Sequence, residues 1–232
     1  MNIMETIWVN CFTADTYSCI QGRGIHGGAK KLKAILKADH EGTQYCLKLD
    51  VRKFYPSIDH DILKAIIRKK IKDPDLLWLL DEIIDSSPGV PIGNYLSQFF
   101  ANVYLAYFDH WLKETLAVKY YFRYCDDLVI LHADKSYLHQ LRIEINEYMR
   151  AELNLTIKDN WQVFPVDIRG IDFLGYRFYH THTLLRKTIK KRFARKVAGM
   201  KAGSKDLRIT QSAYWGWAKH CNSINLIKKL SA

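Results

Sequence analysis

The segment Cys125-Asp126-Asp127 sits between two short runs rich in aromatic and aliphatic residues, Tyr120 to Tyr124 and Leu128 to Leu131. Runs of that composition on either side of turn-forming residues read as strand, tight turn, strand. Both carboxylates then lie at a hairpin tip. Upstream, Tyr45, Leu47 and Leu49 alternate with Cys46, Lys48 and Asp50, the period of two that a strand imposes, so Asp50 ends its strand. Aspartates crowd turns for ordinary backbone reasons, and an Asp-Asp pair alone carries little. Three carboxylates that can converge from two separate strands carry more, because they are the donor set of a two-metal site for nucleotidyl transfer.

The remaining segments frame these strands. Gln21 to Gly28 is expected to be a turn or loop entering a helix over Ala29 to Lys37, and its glycines match neither the P-loop nor the dinucleotide fingerprint. Asp59 is an N-cap candidate for a helix carrying Ile62, Ile66 and Lys69 to Lys72. Pro88 to Gly93 predicts a rigid, turn-rich loop, and Phe100, Val103, Tyr104, Tyr107 and Trp111 recur at helical spacing within Ser97 to Leu116, most of them as core. Leu138, Leu141, Ile145, Tyr148 and Leu153 mark another amphipathic helix, and Phe173 to Phe178 a further strand. The order β, α, α, β-turn-β, α, β predicts an α+β layer with helices packed on one sheet face.

Charge is unevenly distributed. From His180 onward there are 13 Lys or Arg against the single acid Asp206, whereas the preceding 179 residues hold 22 against 23. The excess behind the net charge of +11 is therefore C-terminal, the electrostatic footprint of a protein that handles a phosphate backbone. Tyr214, Trp215 and Trp217 argue against a disordered basic tail. Five scattered cysteines without CxxC spacing argue against a disulfide framework or a zinc site. The N-terminus has no basic, apolar signal and the chain no long apolar stretch, so a cytoplasmic, membrane-free protein is expected.

The segments Leu49 to Asp59, Pro91 to Gln98, Tyr124 to Asp127 and Phe173 to Tyr176 together resemble consecutive motifs of reverse transcriptases, in family order. The resemblance covers roughly Tyr17 to Leu230. It implies a right-hand polymerase palm over residues 44–180 with a ferredoxin-like mixed sheet, a partial fingers region over 1–43, since only 49 residues precede Asp50, and a basic helical thumb beginning in 181–232. It also implies that Asp50, Asp126 and Asp127 are catalytic and, with the Val51 carbonyl, hold two Mg²⁺ ions, with Mn²⁺ as an alternative. Tyr55 falls where the family carries an aromatic gate against a 2′-hydroxyl. Ile92, Gly93 and Lys158 fall beside the incoming nucleotide, and Phe173, Leu174, Gly175 and Tyr176 resemble the primer grip. In the basic segment, Arg186, Lys187, Lys190, Lys191, Arg192, Arg195 and Lys196 are the expected nucleic-acid contacts.

Ile92 and Gln98 stand where many family members carry Gln and Pro. That departure, and Tyr214 to His220, resemble the bacterial and phage enzymes of diversity-generating retroelements. The resemblance implies a template RNA, a DNA or RNA primer and deoxynucleoside triphosphates as partners, with a small basic accessory protein of the retroelement as an optional one. A group II intron type enzyme is the second catalytic reading. A nucleic-acid-binding palm remnant without most of the fingers is the non-catalytic one.

Overall fold

The computed structural model describes residues 2–91, 95–201 and 216–231. Four strands form the central sheet: β1 (Tyr45–Asp50), β2 (Tyr120–Tyr124), β3 (Asp127–His132) and β4 (Gln162–Pro165). Their order across the sheet is β2-β3-β1-β4, with every ladder antiparallel. Helical crossovers join β1 to β2 and β3 to β4, which is the split β-α-β arrangement of ferredoxin-like folds. β1 is central, so the end of β1 and the start of β3 meet inside the sheet rather than at an edge.

The strand period puts alternate residues on opposite faces, and both faces are covered. On one, Leu47, Leu49, Leu128 and Ile130 pack with α3 (His60–Arg68), α5 (Tyr95–Tyr104), α6 (Ala106–His110) and α7 (Lys135–Leu153). On the other, Cys46, Phe122, Val129 and Phe164 pack against Leu32 and Leu36 of α2 (Gly24–Ala38) and against a second, small sheet. Burial on both sides explains why Leu128 to Leu131 is a continuous apolar run, with none of the four more than 1% exposed. α1 (Asn2–Val9) adds Trp8 to the first core.

Several elements differ from the sequence reading. α2 begins at Gly24, five residues before the expected start, so Gly27 and Gly28 lie inside it. A Cβ on Gly28 would stand 2.8 Å from Leu174 Cδ1 and 3.1 Å from the Tyr17 ring, so the glycine permits a close helix approach rather than a turn. α3 starts where Asp59 predicts, its carboxylate accepting from the Ile62 amide at 3.1 Å, but it ends at Arg68, before the lysine run. A further helix, α4 (Pro74–Asp85), follows, with Asp73 as N-cap and Pro74 in its first turn. The stretch expected as one helix from Ser97 to Leu116 is α5, α6 and a π-helical turn, Trp111–Thr115.

Phe173 to Phe178 is not one strand. It is the hairpin of β5 (Ile171–Phe173) and β6 (Tyr176–Phe178), turned by Leu174 and Gly175 at φ 52° and 84°. β7 (Thr183–Leu185) completes this sheet, and Val166–Arg169 forms the short helix α8 before it. α9 (Lys187–Lys201) carries the basic run, and α10 (Ile224–Ser231) lies near the C-terminus. The expected boundary at 181 therefore falls just before β7, which pairs with β6. Among the described residues, no helix is long and apolar enough to cross a membrane, and all five cysteines are free.

Candidate active site

Antiparallel register, rather than sequence proximity, brings the acidic residues together. Asp50 at the end of β1 lies directly opposite Asp127 at the start of β3. Tyr124 pairs with Asp127 across a two-residue turn made of Cys125 and Asp126. Val51 continues from β1 and its amide donates to the Asp126 carbonyl at 3.3 Å, tying the turn to the strand end.

Cys125 adopts a left-handed φ of 53°, which costs a residue with a Cβ on the order of 1 kcal/mol. Its neighbours hold it there. Arg123 Nη1 donates to the Cys125 carbonyl at 3.1 Å, and Ser18 Oγ lies 2.8 Å from Cys125 Sγ. Arg123 is itself fully buried, bonded through Nε and Nη2 to Asp109 at 2.6 to 3.0 Å and through Nη1 to Asn102 at 3.0 Å. Asp109 also accepts from Tyr121 Oη at 2.7 Å and Thr16 Oγ1 at 2.8 Å. Burial pulls the guanidinium down, but the Asp109 charge outweighs it, and Arg123 stays protonated.

The carboxylates are crowded. Burial raises the Asp127 carboxyl to about 6, with Lys48 pulling it down and Asp50 and Asp126 pushing it up. Burial also raises Asp126, with the adjacent Asp50 charge adding to it. Two cations face the cluster: Lys158 Nζ lies 2.6 Å from Asp50 Oδ1, and Lys48 Nζ lies 3.4 Å from Asp127 Oδ2 while also donating to the Asp172 carbonyl. The Asp50 bond keeps Lys158 protonated. Asp127 Oδ1 is buried and meets no hydrogen-bond partner among the described residues.

Hard oxygen donors, like charges held close and an orphaned carboxylate oxygen fit a divalent cation of the Mg²⁺ class. Asp50 bears on both Asp126 and Asp127, and Asp127 lies 3.4 Å from Lys48 Nζ.

A polar cleft of about 480 Å³ opens beside Asp50 and Asp127 and runs past Trp161, Arg169, Arg177 and Asp172 to Arg186 and Thr188 at the start of α9. Along α9, Lys187, Lys190, Lys191, Arg192, Arg195 and Lys196 are exposed, while Arg186 is half-buried and bonded to Asp172 at 2.5 Å. Tyr55 is half-buried, its hydroxyl 3.8 Å from Cys125 Sγ. Ile92 and Gly93 lie outside the described residues, as do Tyr214 and Trp215. Phe173 and Tyr176 are core residues with no exposed surface. The Leu174-Gly175 turn is covered by Trp217 and Ile189, and the Gly175 carbonyl accepts from the Arg186 amide at 2.9 Å.

Lys158, at a position where an exposed lysine is the more ordinary outcome, pairs with Asp50. Its amide bonds the Asp50 carbonyl at 2.8 Å, which aims the side chain at the carboxylates. Sequence reasoning passed over Lys48 and Arg123. The first had a signal, since residues two apart in β1 share a face and Lys48 must accompany Asp50. Arg123 had none, because an arginine in a strand does not announce that it is buried.

The family model described as reverse transcriptase (RNA-dependent DNA polymerase) matches residues 1–178. The chain belongs to the reverse transcriptase family. It is similar to Protein YkfC of Escherichia coli, 24% identical over 218 residues, covering 75% of this chain and 57% of that protein. It is also similar to the Saccharomyces cerevisiae putative COX1/OXI3 intron 2 protein, 20% identical over 244 residues, 75% of this chain and 28% of that protein. An uncharacterized 91 kDa protein in the cob intron of Schizosaccharomyces pombe is 24% identical over 122 residues, covering 48% of this chain and 15% of that one. The chain thus spans less than two thirds of each of these relatives. Among solved structures, telomerase from Candida albicans with a TWJ fragment of telomeric RNA superposes at a TM-score of 0.62 with 11% identity, covering 84% of this chain and 42% of that one. Apo telomerase from Candida tropicalis gives 0.58 at 11%, covering 77% and 39%. These likenesses identify the right-hand polymerase fold that the sequence motifs imply.

Proposed function

We propose that this reverse transcriptase palm catalyses RNA-templated DNA synthesis, with Asp50, Asp126 and the Val51 carbonyl holding two Mg²⁺ ions, Mn²⁺ being an alternative, and Asp127 completing the acidic tip. The observation that carries the reading is the pairing of Asp50 with Asp127 across β1 and β3, with the Asp126 turn tied to the same strand end. When bound, the ions supply nucleophile activation and leaving-group stabilisation in an in-line displacement.

The residues of the chain position the reactants. Lys158 places a protonated amine beside the carboxylates, where it offers a charge to the triphosphate and a proton to departing pyrophosphate. Tyr55, beside the acidic turn, is the gate against a 2′-hydroxyl. The polar cleft leads from the carboxylates toward α9, and the exposed basic side chains of α9 bind the template and primer backbone as the start of a thumb. Because Phe173 and Tyr176 are core side chains and Trp217 and Ile189 cover the Leu174-Gly175 turn, these primer-grip residues act by packing support rather than by direct contact with the primer.

The finer assignment is an error-prone enzyme of a diversity-generating retroelement. Ile92 cannot offer the hydrogen bonds of a glutamine beside the nascent pair, so base-pair geometry is policed less strictly. The second reading, a group II intron type enzyme, is favoured by the two relatives whose names place them in introns.

Primer extension on an RNA template with Mg²⁺ and all four deoxynucleotides, run beside Asp126→Asn, tests the catalytic reading. Loss of extension in the variant with RNA binding retained supports it, and undiminished extension overturns it. Errors clustered at template adenines that disappear in Ile92→Gln support the error-prone assignment; an unchanged spectrum in that variant refutes the role of Ile92.

A further inference from the structure

A second polar cluster lies away from the acidic turn, where three distant parts of the chain meet. His40 follows the end of α2, Asp167 belongs to α8, and His180 lies in the link between β6 and β7. One ligand atom from each falls within 4.8 Å of the others. His40 Nε2 is 3.1 Å from Asp167 Oδ2, His180 Nδ1 is 2.9 Å from Asp167 Oδ1, and the two imidazole rings are 4.0 Å apart. None of the three side chains lines the cleft beside Asp50 and Asp127.

Hydrogen bonding fixes the orientation of His180. The Thr43 hydroxyl has one proton, and it donates that proton to the Asp39 carbonyl at 2.5 Å. Toward His180 Nε2, 3.0 Å away, the same oxygen must accept, so Nε2 carries the hydrogen. A neutral imidazole then has its bare lone pair on Nδ1. That atom, in a side chain only 3% exposed, lies 2.9 Å from Asp167 Oδ1, which accepts from the His180 amide at 3.3 Å, and among the described residues it has no partner with hydrogen-bond geometry. Two electron-rich atoms face each other, and His40 brings a third donor to the same carboxylate. Protonating both rings, tilted at 37° with centroids 4.0 Å apart, would bring two like charges close together, whereas one divalent cation satisfies all three groups.

We propose that His40, Asp167 and His180 bind a zinc-class divalent ion that pins the end of α2 to α8 and to the β6–β7 link. Two imidazoles and a carboxylate suit Zn²⁺. Bonds of about 2.0 to 2.2 Å in a tetrahedron separate ligand atoms by about 3.4 Å; the three ligand atoms lie within 4.8 Å of one another, with the imidazoles on different oxygens of Asp167, so side-chain rotation that turns one carboxylate oxygen between the two rings completes the set. Thr43 orients His180 from behind, as carbonyls and carboxylates orient metal-bound histidines elsewhere. His40 and Asp167 are 60% and 49% exposed, which leaves water a fourth position and gives the ion an entry path. The cysteines take no part.

The test is a titration of the metal-stripped full chain with ZnCl₂ against a chromophoric chelator, with melting temperature as a second readout and CoCl₂ as a spectroscopic probe. The expected result is one tightly bound equivalent, a raised melting temperature, and cobalt d–d absorption without a thiolate charge-transfer band. His40→Gln, at an exposed position, and Thr43→Val each weaken binding by about tenfold or more, and Asp126→Asn leaves it unchanged. Absence of stoichiometric zinc binding overturns the proposal. So does wild-type affinity in His40→Gln and Asp167→Asn, a thiolate band, or loss of the ion in Asp126→Asn. Because zinc binding is read without synthesis, its failure is separable from failure of the polymerase reading.

Discussion

Replacing Arg123 by Met strands the Asp109 carboxylate in a site where both side chains are fully buried. Two donors remain to Asp109, Tyr121 Oη and Thr16 Oγ1, but its counter-charge is gone. Removing one partner of a buried ion pair costs about 3 to 5 kcal/mol, a large part of a typical domain's 5 to 15 kcal/mol. With a urea slope of about 2 kcal/mol per M, the midpoint falls by about 1.5 to 2.5 M. Asp109→Asn in the same background removes the stranded charge, so the double variant loses at least about 2 kcal/mol less than the two single losses added together. The double variant still lacks the Arg123 bond to the Cys125 carbonyl, so its primer extension stays impaired after stability has been partly recovered. Equilibrium urea unfolding of the four proteins, with extension assayed far below each midpoint, measures both. Additivity within about 0.5 kcal/mol would refute the ion-pair argument, and full activity in the double variant would refute the clamp.

Gly28→Ala forces a Cβ to within 2.8 Å of Leu174 Cδ1 and should lower stability by about 1 to 3 kcal/mol in a denaturant melt, as overpacking does; a stabilised variant would show that α2 can shift freely. The stacked rings of His26 and His220, 4.1 Å apart, both titrate low. Burial lowers each, with Lys219 adding to His26 and with His26 itself, then Lys219 and Lys33, adding to His220. A depressed histidine stabilises the fold above its unfolded value of 6.5, and that contribution is lost as pH falls through this value toward the folded one. Melting temperature should therefore drop between pH 7.5 and 5 by more in the wild type than in His26→Asn/His220→Asn, and equal slopes would remove the pair from the explanation. Lys190→Ala/Lys191→Ala should flatten the log-log salt dependence of RNA binding by about two; an unchanged slope would place the nucleic acid elsewhere than on α9.

Local pattern was enough for the strands that carry the carboxylates, because β1, β2 and β3 are bounded by alternation and by turn residues that act within a few positions. Asp59 announced α3 for the same reason, since an N-cap bond closes over three residues. Reading failed where a local rule had two outcomes. Gly27 and Gly28 look like a loop until the close approach of Leu174 and Tyr17 is known, and Leu174-Gly175 is legible as a hairpin turn only through its positive φ values. The break of the Ser97 to Leu116 helix near Leu105 has no proline or glycine to mark it.

The sequence by itself determined the acidic turn, the strand that faces it, the C-terminal placement of positive charge and the succession of motifs shared with the reverse transcriptases, all properties of neighbours along the chain. Tertiary structure alone decided that Asp50 stands opposite Asp127, that Lys158 and Lys48 reach the carboxylates, that Arg123 is buried behind the turn, and that His40, Asp167 and His180 meet. Those pairings join residues from about a dozen to more than a hundred positions apart, and their partners are selected by register and packing, which no local periodicity encodes.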